Sequence, residues 1–340
     1  MIKTSLLTLG LLTAGVLSAA SGNLEIYWID AEGGAATLIV VPNGDSLLVD
    51  TANRRDDDRD ANRILAAAKT AGLTKIDILL TTHYHGDHIG AMPALAKLIP
   101  IEHYMDHGPS VELERPRVAA LYKAYEELSH GKRTMLKAGD KIPLGDLDIT
   151  VVQSAGKSIS TPLAGAGEPN LTCSSFQPIA ADTDPDNDQS VGFVLKFGDF
   201  EFLDLGDLTW NYEKDLVCPT NKLGKIDLYQ TTHHGLDRSN SPQILAAIQP
   251  VVAVFNNGAR KGGPPSVFQN LRATPRLEDI WQGHFATMTP KEVNTNEQMI
   301  ANLGDGSECE GNLLKAVIMS DGKFTMTNMR NGFSKTYQSK

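Results

Sequence analysis

The sequence predicts an α/β fold built from two related halves, and three observations carry that prediction. Strand-like apolar runs alternate with segments of helical periodicity along most of the 340 residues. Two strand-like stretches, "KIDILLTTHYHG" (75–86) and "KIDLYQTTHHG" (225–235), are near copies that each reach Thr-Thr-His. Five of the nine histidines fall at or just after the ends of these two stretches. A repeated strand ending in histidine predicts two half-domains that each deliver imidazole to one end of a sheet.

The elements follow from local pattern. "LEIYWID", "AATLIVV" and, after the turn "PNGD", "SLLVDTA" read as strands. Asp60 is placed to cap a helix through Ala71, with Ala61, Ile64, Leu65 and Ala68 on one face and Gly72 as its stop. "KIDILLTT" has few polar breaks and predicts a strand buried on both faces. A helix over "AMPALAKLI" and a strand at "IEHYM" come next. Pro116 opens a long helix whose Val118, Leu121, Tyr122, Tyr125 and Leu128 face the core. After the strand "LDITVVQ", residues 154–190 are rich in Gly, Pro, Ser and Asp and read as a long loop, suited to one wall of a cleft. "VGFVLKF" and "FEFLDLGD" resume the strands. A helix at "YEKDLV", the strand "KIDLYQTT", a helix at "PQILAAI" and the strand "VVAVFNN" follow. "LLKAVIMS" and "KFTMTN" form a hairpin at Asp321-Gly322.

The first twenty residues carry Lys3, an apolar stretch at 6–17 and the small residues Ser18-Ala19-Ala20. That is the layout of an export signal cleaved after Ala20. The expectation is a signal peptide at 1–20 and one domain at 21–340, with a C-terminal extension from about residue 275, in a periplasmic or secreted protein with no stable membrane span. A formal charge of −10 disfavours a nucleic-acid partner. Cys173, Cys218 and Cys309 match no zinc-ligand spacing; one disulfide plus a free thiol and three thiols both stay open.

The chemistry lies in "HYHGDH". In extended backbone His83 and His85 point the same way, so both can grip one ion. A turn at Gly86 brings Asp87 and His88 to a second position nearby. Imidazole with carboxylate suits two divalent metal ions, with zinc the default and manganese or iron compatible.

"THYHGDHIG" resembles the signature of the metallo-β-lactamase superfamily, and the resemblance runs over residues 24–271. It implies a four-layer αββα sandwich with internal pseudo-twofold symmetry. "DSLLVDTA" is similar to the early strand ending in an aspartate, so Asp50 is expected to orient the histidine loop. "FLDLGDL" is similar to the strand with the metal-bridging aspartate, which implies that role for Asp207. "THHGLDRS" resembles the later histidine motif. The resemblance implies His83 and His85 on the first ion, Asp87, His88 and His234 on the second, and Asp207 between them. His233 is then the hydrogen-bond donor or proton relay beside the substrate, although the duplication aligns His233, not His234, with His83. The "HHG" version is most similar to the hydrolase domain of competence DNA-uptake channels and to phosphorylcholine esterase.

Two departures stand out. Many members have another first-ion histidine, for which His107 in "YMDHGPS" is best placed here, ahead of His103, His130 or Asp106. Competence-type domains carry "GHP" after the strand matching "VVAVFNN", and here Gly263 takes the histidine's place. His284 lies outside the shared region and reads as a packed histidine. The expected activity is metal-dependent hydrolysis of a phosphodiester or related ester, small or lipid-linked, by a water ionised between two ions, with Asp87 or Asp207 taking the proton. Lactone or β-lactam hydrolysis, a nuclease, and a non-catalytic metal-stabilised envelope protein are the alternatives. No serine-nucleophile elbow is present.

Overall fold

The computed structural model describes residues 22–55, 57–306 and 309–339. The export signal expected at 1–20 lies outside the described residues. Strands β1 (Leu24–Trp28), β2 (Thr37–Val40), β3 (Ser46–Val49), β4 (Ile76–Leu80), β5 (Ile101–Asp106) and β6 (Arg133–Met135) come first. Then follow β7 (Asp148–Ser154), β8 (Lys157–Ser158), β9 (Gly192–Phe197), β10 (Phe200–Asp204), β11 (Leu228–Gln230), β12 (Val252–Phe255), β13 (Asp279–His284) and β14 (Ile300–Asn302). The chain closes with β15 (Leu314–Ile318), β16 (Lys323–Asn328) and β17 (Ser334–Gln338). One sheet has the order β17-β16-β15-β1-β2-β3-β4-β5-β6, the other β14-β13-β12-β11-β10-β9-β7-β8.

The strand pattern sets the layers. Alternate side chains leave a strand on opposite faces, so Ile39, Leu47 and Leu80 point between the sheets while Leu38, Leu48 and Leu79 point outward. Between the sheets they meet Phe193, Phe202 and Trp281. Outside the first sheet pack helices α1 (Arg59–Thr70), α3 (Met92–Leu98) and α4 (Pro116–Ser129), the short α2 (Gly86–Ile89) lying in the histidine loop. Outside the second sheet pack α5 (Trp210–Val217), α6 (Pro242–Ile248) and α7 (Pro265–Arg272). The fold is therefore an α/β sandwich of four layers, αββα, the metallo-β-lactamase fold.

The duplicated stretches occupy matching places. β4 runs parallel between β3 and β5, and β11 runs parallel between β10 and β12. Parallel strands send their C-terminal ends to one edge, where ligands of α/β sheets gather. Thr81-Thr82-His83 and Thr231-Thr232-His233 leave β4 and β11 at that edge. A buried amide, Gln230, ties the sheets together: it accepts from Trp28 Nε1 and Thr37 Oγ1, both at 2.8 Å, and donates to Asp204 Oδ2 at 2.8 Å.

Local expectations are corrected in three places. Asp60 does not cap α1, which starts at Arg59 after Asp58 in left-handed backbone (φ 51°); Asp60 is buried, accepts from Asn53 N–H and pairs with Arg59. β11 is much shorter than its sequence run, because the chain leaves the sheet at Thr231. The segment after residue 275 is woven into both sheets, with β15 paired antiparallel to β1 and β13 parallel to β12. Cys173 and Cys218 form a disulfide and Cys309 is free.

Candidate metal centre

β4 ends at Leu80, and the chain then runs extended through His85 (φ −70°, ψ 153°) before turning into α2. The expected pairing of His83 with His85 follows: His83 Nε2 lies 2.9 Å from His85 Nδ1. The α2 turn lifts Asp87 and His88 onto an adjacent point. From the other half, Thr231–Gly235 breaks out of β11 with His233, His234 and Gly235 all in left-handed backbone (φ 58°, 55° and 73°). Such conformations cost about 1–3 kcal/mol each for a non-glycine residue, and the packing of both sheets must hold them. The strained turn aims His234 at α2.

Four ligand atoms converge there. Asp87, His88, Asp207 and His234 each place one within 4.8 Å of the others. His88 Nε2 is 3.2 Å from Asp207 Oδ2 and from His234 Nε2. His234 Nε2 is 3.3 Å from Asp87 Oδ2 and from Asp207 Oδ2. His233 Nε2 stands 3.4 Å from Asp207 Oδ2.

Every candidate imidazole has its far nitrogen near an oxygen. His88 Nδ1 meets Asp50 Oδ2 at 2.7 Å, His83 Nδ1 meets Thr82 Oγ1 at 3.1 Å, His85 Nε2 meets Glu112 Oε2 at 3.2 Å and His234 Nδ1 meets the Asn256 carbonyl at 3.4 Å. This fixes ring orientation and turns the remaining nitrogens inward, as metal ligands require. Asp50 also accepts from Thr82 N–H at 2.8 Å and Thr82 Oγ1–H at 2.7 Å.

The electrostatics point the same way. Burial alone would lower the His88 imidazolium, but Asp207, Asp50 and Asp87 outweigh it and hold His88 well above its usual range. Burial would raise Asp87 and Asp207, yet His88, Lys261 and His234 hold Asp87 well below the carboxylate range, and the neighbouring imidazoles do the same to Asp207. So much buried carboxylate beside inward imidazole nitrogens calls for a cation. The donor set therefore fits divalent metal: Asp87, His88, Asp207 and His234 gather around one position, and His83 and His85 lie together beside it.

Other candidates sit elsewhere. His107 is buried but outside the four-residue group, with Nε2 3.6 Å from Asp186 and its ring against Tyr84. Asp106 is committed to Arg133, at 2.6 and 2.9 Å, and to Tyr125. His103 bonds Thr134, and His130 is exposed beyond α4. His284 is buried and meets Asp30 at 2.5 Å, with Cys309 Sγ 2.9 Å from the same carboxylate. The ligand types in that trio suit a metal, but Arg63 is already 2.6 Å from Asp30 and supplies the positive charge there.

Three contributors escaped the sequence reading. Glu112, fully buried, holds His85. Asp186, at the end of the 154–190 loop, accepts from the Tyr84 and Val111 N–H groups and Ser110 Oγ, so that loop braces the histidine segment. Lys261 donates to Asp87 Oδ2. Its one sequence signal was a basic residue in the glycine-rich stretch after β12, where the search was for histidine.

Residues 29–167 match the family model of the metallo-beta-lactamase superfamily, which supports membership of that superfamily. A UPF0173 metal-dependent hydrolase of Cupriavidus metallidurans is 34% identical over 28% of this chain and 31% of its own length. Recombination protein 2 of Haemophilus influenzae is 26% identical over 69% of this chain and 24% of its own length. The chain thus spans a third or less of these curated relatives. Among solved structures, the diiron β-hydroxylase CmlA of Streptomyces venezuelae aligns over 76% of this chain and 47% of its own, with TM-score 0.40 and 16% identity. MEM-A1, a subclass B3 metallo-beta-lactamase from a soil metagenome library, aligns over 76% and 75% with TM-score 0.35 and 14% identity. At these scores the two structures carry no functional argument.

Proposed function

We propose that the chain is an exported, dinuclear metal-dependent hydrolase acting on a phosphodiester or related ester, small or lipid-linked. The observation that carries the reading is the convergence of Asp87, His88, Asp207 and His234 from both halves, with each inward imidazole fixed from behind. His83 and His85 would hold one ion and Asp87, His88 and His234 the other, with Asp207 available to both. A metal pair supplies an ionised water and a Lewis-acid hold on the ester or phosphoryl oxygen. The Asp87 or Asp207 carboxylate orients the attacking water and accepts its proton. His233, 3.4 Å from Asp207, donates its ring N–H to the leaving oxygen. A phosphodiester is preferred because the "HHG" motif resembles phosphoesterase-like branches, and a small or lipid-linked one because the chain is acidic. No helix among the described residues is long and apolar enough to cross a membrane.

The test is metal per chain by mass spectrometry, followed by turnover of bis-p-nitrophenyl phosphate, a lactone and nitrocefin with and without chelator. Two ions and chelator-sensitive phosphodiester turnover support the proposal. Faster turnover of the lactone or nitrocefin reassigns the substrate. Bound metal with no turnover of any favours a metal-stabilised binding protein.

A further inference from the structure

We propose that Lys261 is the specificity residue of this site: its ammonium holds an anionic oxygen of the substrate, so the cleft selects negatively charged esters over neutral ones. The inference rests on the hydrolase reading and adds a recognition group that the histidine motifs do not contain.

The backbone places Lys261 with little freedom. The loop after β12 closes with Gly258 N–H donating to the Lys261 carbonyl at 2.9 Å. On one side it lies against the 32–34 turn: a Cβ on Gly258 would come within 2.5 Å of the Glu32 carbonyl carbon, and one on Gly33 within 3.0 Å of Lys261 Cβ. On the other side it lies against the histidine turn, because a Cβ on Gly262 would stand 1.9 Å from the His234 carbonyl oxygen. Gly263 N–H donates to the Gly235 carbonyl at 3.1 Å. The loop is clamped between two site-forming turns, and Lys261 emerges at the seam.

Its side chain completes the argument. The ammonium bonds Asp87, a proposed metal ligand. Lys261 keeps 35% of its side chain exposed, against 0% for His234 and 9% for His233. An ammonium carries three N–H donors, and among the described residues Asp87 is its one recorded side-chain partner. That leaves N–H donors for a bound anion. On a chain of formal charge −10, a fixed cation at this point attracts an anionic group locally. Where competence-type domains carry a histidine, Gly263 here packs near Ala286 and Phe268, and the cationic group comes from two residues earlier.

The test compares wild type with Lys261→Met and Lys261→Arg. The readouts are steady-state kinetics on bis-p-nitrophenyl phosphate (anionic) and p-nitrophenyl acetate (neutral), calorimetric binding of inorganic phosphate to the metal-loaded protein, and metal per chain. Loss of a charge-assisted hydrogen bond corresponds to about 10- to 100-fold in binding. Lys261→Met is expected to raise KM for the diester and weaken phosphate binding by that factor, with a loss on the diester at least about tenfold larger than on the acetate. Metal content stays at the wild-type value, and Lys261→Arg recovers part of the binding. Equal losses on both substrates, or a loss that tracks missing metal, overturn the proposal and make Lys261 a support for Asp87. Unchanged phosphate binding overturns it as well. If wild type turns over neither ester yet binds phosphate through Lys261, the anion site stands and the hydrolase reading falls.

Discussion

His88 Nε2 and His234 Nε2 lie 3.2 Å apart, although 146 positions separate the two residues. Their outer nitrogens face Asp50 and the Asn256 carbonyl, so once His88 gives up its proton two lone pairs confront each other beside Asp87 and Asp207. A cation between them relieves that repulsion, and metal that binds only the folded chain stabilises it. At free metal 1,000-fold above Kd the gain is about 4 kcal/mol. Calorimetry with and without chelator should show the wild type losing that stability on metal removal. His88→Ala and His234→Ala should each bind at least one ion fewer and respond less to chelator. An unchanged metal count in both variants would sink this account of the centre.

Asp50 binds no metal in this arrangement, yet it governs the ligands that do. It sits in left-handed backbone (φ 60°) and receives Thr82 N–H, Thr82 Oγ1–H and His88 Nδ1–H. Asp50→Ala leaves buried donors without an acceptor, which costs about 1–3 kcal/mol for each unpaired group. It also frees the His88 ring, and loss of such a support costs about 10- to 100-fold in metal affinity. Urea unfolding at fixed metal and competition with a chromophoric chelator measure the two effects separately. A variant that keeps wild-type metal affinity would show that His88 needs no such anchor.

The legible part of the molecule was what periodicity and motif encode. Alternating apolar residues marked most of the inner strands, and "HYHGDH" with "THHG" marked the histidines that converge. The choice between His233 and His234 was not legible, because it depends on three successive left-handed residues that turn His234 inward. The duplication pointed the other way, since His233 matches His83 in sequence while His234, the residue favoured by the motif resemblance, joins the four-residue group. β13, β14 and β17 were missed, although each pairs with a strand that neighbours it in the chain. Glu112 and Asp186 were invisible because nothing local ties them to His85 or Tyr84. Lys261 was hidden by a search for one residue type in a loop whose backbone delivers another.

The Cys173–Cys218 disulfide closes a loop over a sequence separation of 45 residues and ties the long 154–190 segment to the end of α5. In the chain-entropy account a cross-link of this span stabilises by about 4 kcal/mol. Cys173→Ser, or reduction of the wild type, should lower the urea midpoint accordingly. Both cysteines lie outside the histidine cluster, so bound metal per folded chain should not change. A wild type whose unfolding is indifferent to reductant would remove this bond from the stability account.

Asp30 predicts a specific acid limb. Burial would raise its pKa, but His284 and Arg63 outweigh that and bring it down to about 2. The folded value thus lies below the ordinary value of 3.8. Its contribution is complete above about pH 4 and is lost as pH falls through about 2, and the shift corresponds to about 2 kcal/mol. Asp30→Asn keeps the shape of the side chain and removes the titration. The stability difference between wild type and Asp30→Asn should be largest above pH 4 and shrink steadily toward pH 2, as read by denaturant unfolding at each pH. A difference that stays constant across that range would mean that the Asp30 carboxylate gains nothing from His284 and Arg63 in the folded state.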